Sequence, residues 1–213
     1  MAILTKLYPS AHPSGYLNLE VDGAPLGAVS QPVAERLGLT AGMTLRDEQV
    51  AELRAAAGIG DALALANHFL AHRPRSTAEV RARFHRARIE PEIIDAALAE
   101  LERQGLLDDR RFAALWVDNR TAFRPRSARA LEQELRRKGV DREVIEQTFA
   151  EVEMGDETAL AVDAGRKKLR AMAALDQDTF RRRMAGFLAR RGFAHEAASA
   201  AIEQLWAELL GTV

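Results

Sequence analysis

The chain has 213 residues, 47% of them apolar, enough for one large or two or three small folded units. A formal net charge of −1 gives no overall bias toward polyanions, and the absence of cysteine excludes disulfides and thiol chemistry. No apolar run of 18 residues exists to span a membrane, and Met1 to Pro9 lacks the charged segment and long apolar core of a secretory leader, so a cytoplasmic protein is expected.

The first sixty residues form a mixed region. Tyr16-Leu17-Asn18-Leu19-Glu20-Val21 alternates with period two, the pattern of a half-buried strand. Asp22-Gly23 reads as a turn and Leu26 to Val29 as a second strand, which together predict a β-hairpin. A short helix is expected from about Pro32 to Leu37, stopped by Gly38. Another opens at Asp47, carries Val50 and Leu53, and ends near Gly58-Ile59-Gly60, which reads as a joint.

The rest of the chain is a repeat. Residues 72–101 and 123–152 align without a gap at an offset of 51, opening on Arg73-Pro74-Arg75-Ser76 and Arg124-Pro125-Arg126-Ser127. Residues 176–205 form a third copy at a further offset of 53, without the tetrapeptide. Six apolar positions recur in register: Val80/Leu131/Met184, Phe84/Leu135/Leu188, Ile89/Val140/Phe193, Ile93/Val144/Ala197, Leu98/Phe149/Ile202 and Leu101/Val152/Leu205. The first two stand four apart, on one helix face, and the last three mark a second helix.

Between these helices lie Gly139-Val140-Asp141 and Gly192-Phe193, and glycine suits the left-handed residue just past a helix end. The first copy has Arg88 there, so its cap must be made in another way. Ser76 with Glu79 forms a capping-box sequence, Pro91 fits a first helical position and Asp141 an N-cap. One more helix precedes each pair, over Asp61–His72, Asp109–Phe123 and Asp156–Ala171. Each unit is then three short helices in roughly 45–55 residues, which seldom bury enough core alone, so neighbours should stack. The predicted fold is mainly α: three tandem three-helix repeats in an elongated helical array, over 61–107, 108–155 and 156–213, preceded by residues 1–60 with the hairpin. Repeats that bury their faces internally favour a monomer.

Charge is segregated despite the neutral total. Residues 73–88 hold six arginines against Glu79 alone, 120–142 hold eight basic groups against three acids, and 166–191 hold nine against Asp176 and Asp178. Acids collect instead in the third helix of the first two copies, as at Glu92, Asp95 and Glu100. Arg86, Arg137 and Arg190 occupy equivalent positions. No phosphate loop, dinucleotide fingerprint or nucleophile elbow is present, and His68 and His72 stand at helical spacing without a third ligand at a recognisable distance. No enzyme activity, metal or cofactor is expected.

The string Arg73-Pro74-Arg75-Ser76 with Glu79-Val80-Arg81, then Gly105-Leu106-Leu107-Asp108-Asp109 running into Arg111-Phe112-Ala113, resembles the RecX family of recombination regulators. Arg124-Pro125, Lys138-Gly139-Val140 and Phe187-Leu188-Ala189-Arg190-Arg191-Gly192-Phe193 are similar to the same family's later signatures, and the likeness covers about residues 61–210. The resemblance implies a non-enzymatic protein of three three-helix repeats that docks on RecA and its filament on single-stranded DNA. It further implies suppression of ATP hydrolysis, strand exchange and co-protease activity, and so a role in recombination, DNA repair and the SOS response.

The arginine-rich faces fit such a role through contact with the partner or its bound DNA. The candidate residues are Arg73, Arg75, Arg81, Arg86, Arg124, Arg126, Arg129, Arg136, Arg137, Lys138, Arg190 and Arg191. The alternative is a stand-alone helical DNA-binding module acting without RecA, whose affinity would fall steeply with salt.

Overall fold

The computed structural model describes residues 1–11, 15–152 and 154–211, and the chain divides into two compact units, Met1–Asp108 and Asp109–Val213. The first comprises β1 (Ala2–Pro9), β2 (Tyr16–Val21), β3 (Ala24–Ser30), α1 (Gln31–Arg36), β4 (Thr44–Leu45), α2 (Asp47–Leu70), α3 (Thr77–Arg86) and α4 (Pro91–Arg103). The second comprises α5 (Asp109–Phe123), α6 (Ala128–Arg137), α7 (Arg142–Glu151), α8 (Glu157–Arg166), α9 (Leu169–Met172), α10 (Gln177–Ala189) and α11 (His195–Gly211).

The expected hairpin is the β2–β3 half of a four-stranded antiparallel sheet in the order β3-β2-β1-β4. Asp22 and Gly23 both take positive φ, 51° and 79°, the signature of a two-residue type I′ turn. The Asp22 carboxylate accepts the Ile3 N–H at 2.8 Å and so pins β1 to that turn. Sequence reading missed β1 because a bulge between Leu4 and Lys6 breaks the register, and β4 because it is two residues long. Leu4, Leu19, Val29 and Leu45 pack with Leu53 and Ala57 of α2 as the core beneath the sheet.

The joint expected at Gly58-Ile59-Gly60 is instead the middle of one continuous helix, so the boundary expected between residues 60 and 61 falls inside α2. These glycines serve close packing. A Cβ on Gly60 would stand 2.0 Å from the Ala28 carbonyl oxygen, and one on Gly58 2.6 Å from Ile93 Cδ1. Across the same contact a Cβ on Gly27 would meet Ala57 Cβ at 2.8 Å. The helix thus lies directly on β3, and its other end supplies Ala62, Leu63 and Ala66 to the core of the first repeat, with Val80, Phe84, Ile94, Leu98 and Leu101.

The other two repeats have matching cores. Leu131, Leu135, Val140 and Ile145 pack against Phe112 and Val117 in one, and Met184, Leu188, Phe193, Ile202 and Leu205 against Ala161 and Phe180 in the other. The helix expected over Asp156–Ala171 is broken at Lys167-Lys168, where the Lys168 N–H folds back to the Gly165 carbonyl at 2.7 Å. Gly165 itself is required by contact, since a Cβ there would lie 2.4 Å from Leu205 Cδ1. Asp176, accepting the Thr179 N–H at 3.0 Å, starts α10 one turn earlier than α3 and α6 start, and buried Phe180 stands where the other copies have Ser76 and Ser127.

All three middle helices end in the same motif. Ile89, Val140 and Phe193 donate to the carbonyls of Phe84, Leu135 and Leu188, while Arg88, Gly139 and Gly192 donate to those of His85, Arg136 and Ala189. These are Schellman pairings, and the residues they join are two of the six recurring apolar positions, which pack across the cap. Arg88 makes its cap by adopting φ +59° itself. A non-glycine residue pays about 1 kcal/mol for that region. Arg88→Gly should therefore raise stability by roughly 0.5–1 kcal/mol, seen as a rise of about 2 °C in thermal unfolding; a lowered melting temperature would show that the arginine side chain holds the turn.

Candidate functional site

The duplicated tetrapeptide forms the entry to α3 and to α6. Ser76 and Ser127 are buried N-caps, their Oγ atoms accepting from the N–H groups of Glu79 and Ala130 at 3.2 Å. Glu79 completes the box toward the Ser76 N–H at 3.3 Å and receives both forks of Arg73, at 2.7 and 3.2 Å. Arg75 lies over the Phe69 ring with its Cζ 3.9 Å from the centroid, and its side chain is 15% exposed. Its Nε finds no acceptor among the described residues. Burial pulls its pKa down, the Arg73 charge adds to this, and Glu79, 4.0 Å away, opposes it incompletely.

The second copy uses a different partner. Arg120 stands where the first has Phe69, and Glu134 where it has Arg83. The Glu134 carboxylate, 11% exposed, accepts from Trp116 Nε1 at 2.8 Å and Arg120 Nε at 3.0 Å, and pairs with Arg126 Nε at 3.0 Å. Arg120 and Lys138 approach the Trp116 ring, at 4.3 and 5.1 Å from its centroid. Burial pushes the Glu134 pKa up, but the hydrogen bonds from Arg120 and Trp116 and the charges of Arg126 and Arg120 outweigh it, so the net shift is down.

Arg191 joins the second and third repeats. Its Nη1 donates to the Pro125 carbonyl at 2.9 Å, and its own carbonyl accepts the Ser127 N–H at 3.2 Å. Next to it, a Cβ on Gly192 would meet Ser127 Oγ at 2.6 Å and Ala130 Cβ at 2.7 Å, so the two repeats touch through backbone. Burial, then the charges of Arg126 and Arg124, lower the Arg191 pKa.

The remaining candidates lie on the surface. Arg81 pairs with Asp95 of α4 at 2.6 Å and Arg136 with Glu132 one turn back, so part of the basic face is neutralised within its own repeat. Arg124 and Arg129 are exposed, the latter beside a depression bordered by Met154, Leu160 and Phe193. Two of the three equivalent arginines share one contact, and the third lies along its helix in a similar way. Arg86 and Arg137 each donate Nε to the carbonyl four residues back, Ala82 and Gln133, at 3.2 Å. Arg190 also folds back, its Nη1 3.4 Å from where a Gly186 Cβ would stand. Among the described residues none of the three forms an ion pair. Satisfying a last-turn carbonyl uses one donor of five and leaves the guanidinium fork in solvent.

A further basic concavity gathers Arg190 and Arg191 with residues of the basic stretch 166–191 that were not singled out in the sequence. Lys168, Arg182 and Arg183 line a groove of about 610 Å³ with Arg190, Arg191 and Phe187, and among the described residues no acid lines it. The available signal was the run Arg181-Arg182-Arg183 followed one turn later by Gly186-Phe187. Among the described residues no group of three metal-ligating side chains gathers, His68 and His72 meet edge to face at 5.4 Å, and no helix is long and apolar enough to cross a membrane.

Comparison with known proteins agrees with this arrangement. Residues 62–101, 108–148 and 156–202 match the first, second and third three-helix domains of RecX. The regulatory protein RecX of Amycolatopsis mediterranei is 41% identical over 124 residues, 58% of this chain and 71% of the relative. That of Streptomyces coelicolor is 33% identical over 146 residues, 68% of this chain and 78% of the relative. A crystal structure of regulatory protein RecX shares the fold with a TM-score of 0.69 at 20% identity, covering 93% of this chain and 98% of that one. The structure of RecX from Lactobacillus salivarius gives 0.56 at 17% identity, over 71% and 96%. With three consecutive RecX domains and relatives matched over most of their length, the chain belongs to the RecX family of regulatory proteins.

Proposed function

We propose that this protein acts in the cytoplasm by binding RecA and the RecA filament on single-stranded DNA, restraining its recombinase, ATPase and co-protease activities without catalysis of its own. The observation that carries this reading is the recurrence of one exposed arginine, without an ion-pair partner among the described residues, at the end of each repeat's middle helix: Arg86, Arg137 and Arg190. An internal pairing would satisfy one arginine at one place, whereas a protein-and-DNA filament presents repeating acidic and phosphate groups to repeating forks. Arg73, Arg75, Arg126 and Arg191 hold turns and the repeat junction, and they support the surface from beneath.

The test is filament binding by Arg86→Glu with Arg137→Glu. Both side chains are exposed, so loss of their helix-end interactions should cost about 1 kcal/mol each at most, while affinity for the RecA–DNA filament should fall at least about tenfold, the equivalent of 1.4 kcal/mol. Undiminished affinity in a folded double variant would remove these arginines from the interface. The DNA-binding alternative is separated by salt: a binder dominated by phosphate contacts loses affinity linearly on log–log axes and has no requirement for RecA.

A further inference from the structure

We propose that the groove between α9 and α10 is a direct nucleic-acid backbone site, in which Arg182, Arg183 and Arg190 bind consecutive phosphates over the open floor left by Gly186. Two observations carry it independently. The first is charge. Arg81, Arg126, Arg136, Arg142 and Arg166 of this chain each have a carboxylate within an ion pair, but among the described residues Arg182, Arg183 and Arg190 have none. Lys168 and Arg191 flank them, each near the face of Phe187, at 5.9 and 4.6 Å.

The second is Gly186. A glycine inside a helix weakens it relative to alanine. The other glycines in helix interiors stand against neighbours: a Cβ on Gly60 would lie 2.0 Å from the Ala28 carbonyl oxygen, and ones on Gly58 and Gly165 would lie 2.6 and 2.4 Å from the side chains of Ile93 and Leu205, whereas Gly211 only ends α11. At Gly186 a Cβ would meet only the flexible end of Arg190, at 3.4 Å, which is ordinary contact. Among the described residues nothing calls for glycine there, and it lies midway between Arg182 of α10 and Arg190, which caps that helix. A backbone kept bare beneath a ring of guanidiniums suits a ligand that approaches closely from outside. The arginines extend over eight residues, about 12 Å of helix, which exceeds a single phosphate and fits a strand. Phosphodiester oxygens match the planar guanidinium fork.

The site shares Arg190 with the filament reading but is tested apart from it, because the experiment contains no RecA. Fluorescence anisotropy of a labelled single strand of about 16 nucleotides, titrated with the full chain, should show salt-dependent binding. Arg182→Gln with Arg183→Gln should weaken it about tenfold and make the log–log salt slope shallower by about 1.4, the value for two lost phosphate contacts. Gly186→Leu should raise the melting temperature by about 2 °C while weakening binding to a similar degree, a combination that damage to the fold cannot produce. Wild-type affinity in both variants would overturn the assignment, as would a lowered melting temperature in Gly186→Leu, which would reveal an internal reason for the glycine. Binding of poly-glutamate in place of the oligonucleotide would make the groove an acidic-protein site and likewise end the nucleic-acid assignment.

Discussion

Gly60→Ala should destabilise the protein by about 3 kcal/mol, although alanine is the better helix former by about 1 kcal/mol. The added methyl would stand 2.0 Å from the Ala28 oxygen, 2.9 Å from its carbonyl carbon and 3.2 Å from Tyr16 Cδ1. Backbone cannot rotate aside as a side chain can, so α2 would have to lift from β3. The same helix carries Leu53 and Ala57 into the sheet core and Ala62, Leu63 and Ala66 into the first repeat, so displacement loosens both. Gly58→Ala is the control: its obstacle is the Ile93 Cδ1 methyl, which can turn away, and its cost should stay under about 1.5 kcal/mol. Urea unfolding of both variants checks the contrast. Equal midpoints for the two would mean that α2 does not depend on this contact, and a stabilised Gly60→Ala would return the segment to a flexible joint.

Glu134→Ala should cost about 2–3 kcal/mol by leaving the Trp116 N–H and two guanidiniums without their shared acceptor. The folded pKa of Glu134 lies below its ordinary value, so the ionised carboxylate is favoured by folding. Its contribution is complete above the unfolded glutamate pKa and is lost as pH falls through the lower folded one. Wild type should therefore shed stability through this acid window, and Glu134→Gln should show a flatter acid limb over the same range. Trp116 fluorescence offers a local readout, Trp206 being the other tryptophan. Parallel acid limbs in wild type and Glu134→Gln would mean that this carboxylate titrates alike folded and unfolded.

The repeats were legible because their signals are local. Ser76, Pro91 and Asp141 mark helix starts within four residues of what they cap, and the apolar pairs Phe84/Ile89, Leu135/Val140 and Leu188/Phe193 close Schellman motifs. What failed was what depends on distant partners. Glycine reads the same as a hinge or as a close contact, and only the position of Ala28, thirty-two residues earlier, decides Gly60. Arginine clusters look uniformly available in a sequence, yet Asp95 engages Arg81, Glu134 engages Arg126 and the Pro125 carbonyl holds Arg191. Arg182 and Arg183 were counted in the basic stretch 166–191 but not singled out, because only folding brings them beside Lys168 of the preceding segment and Arg190 in one concavity. Arg88 shows an intermediate case, in which the missing glycine was evident but the arginine's own left-handed backbone was not.

The proposed regulation of RecA is tested by RecA ATP hydrolysis on single-stranded DNA, titrated with this protein at ratios well below one per RecA. A progressive fall in rate at substoichiometric ratios is the expected result. A rate that holds until the protein matches the DNA sites would indicate simple competition for DNA, and a rate unchanged at every ratio would contradict the assignment of this chain as a regulator of the RecA filament.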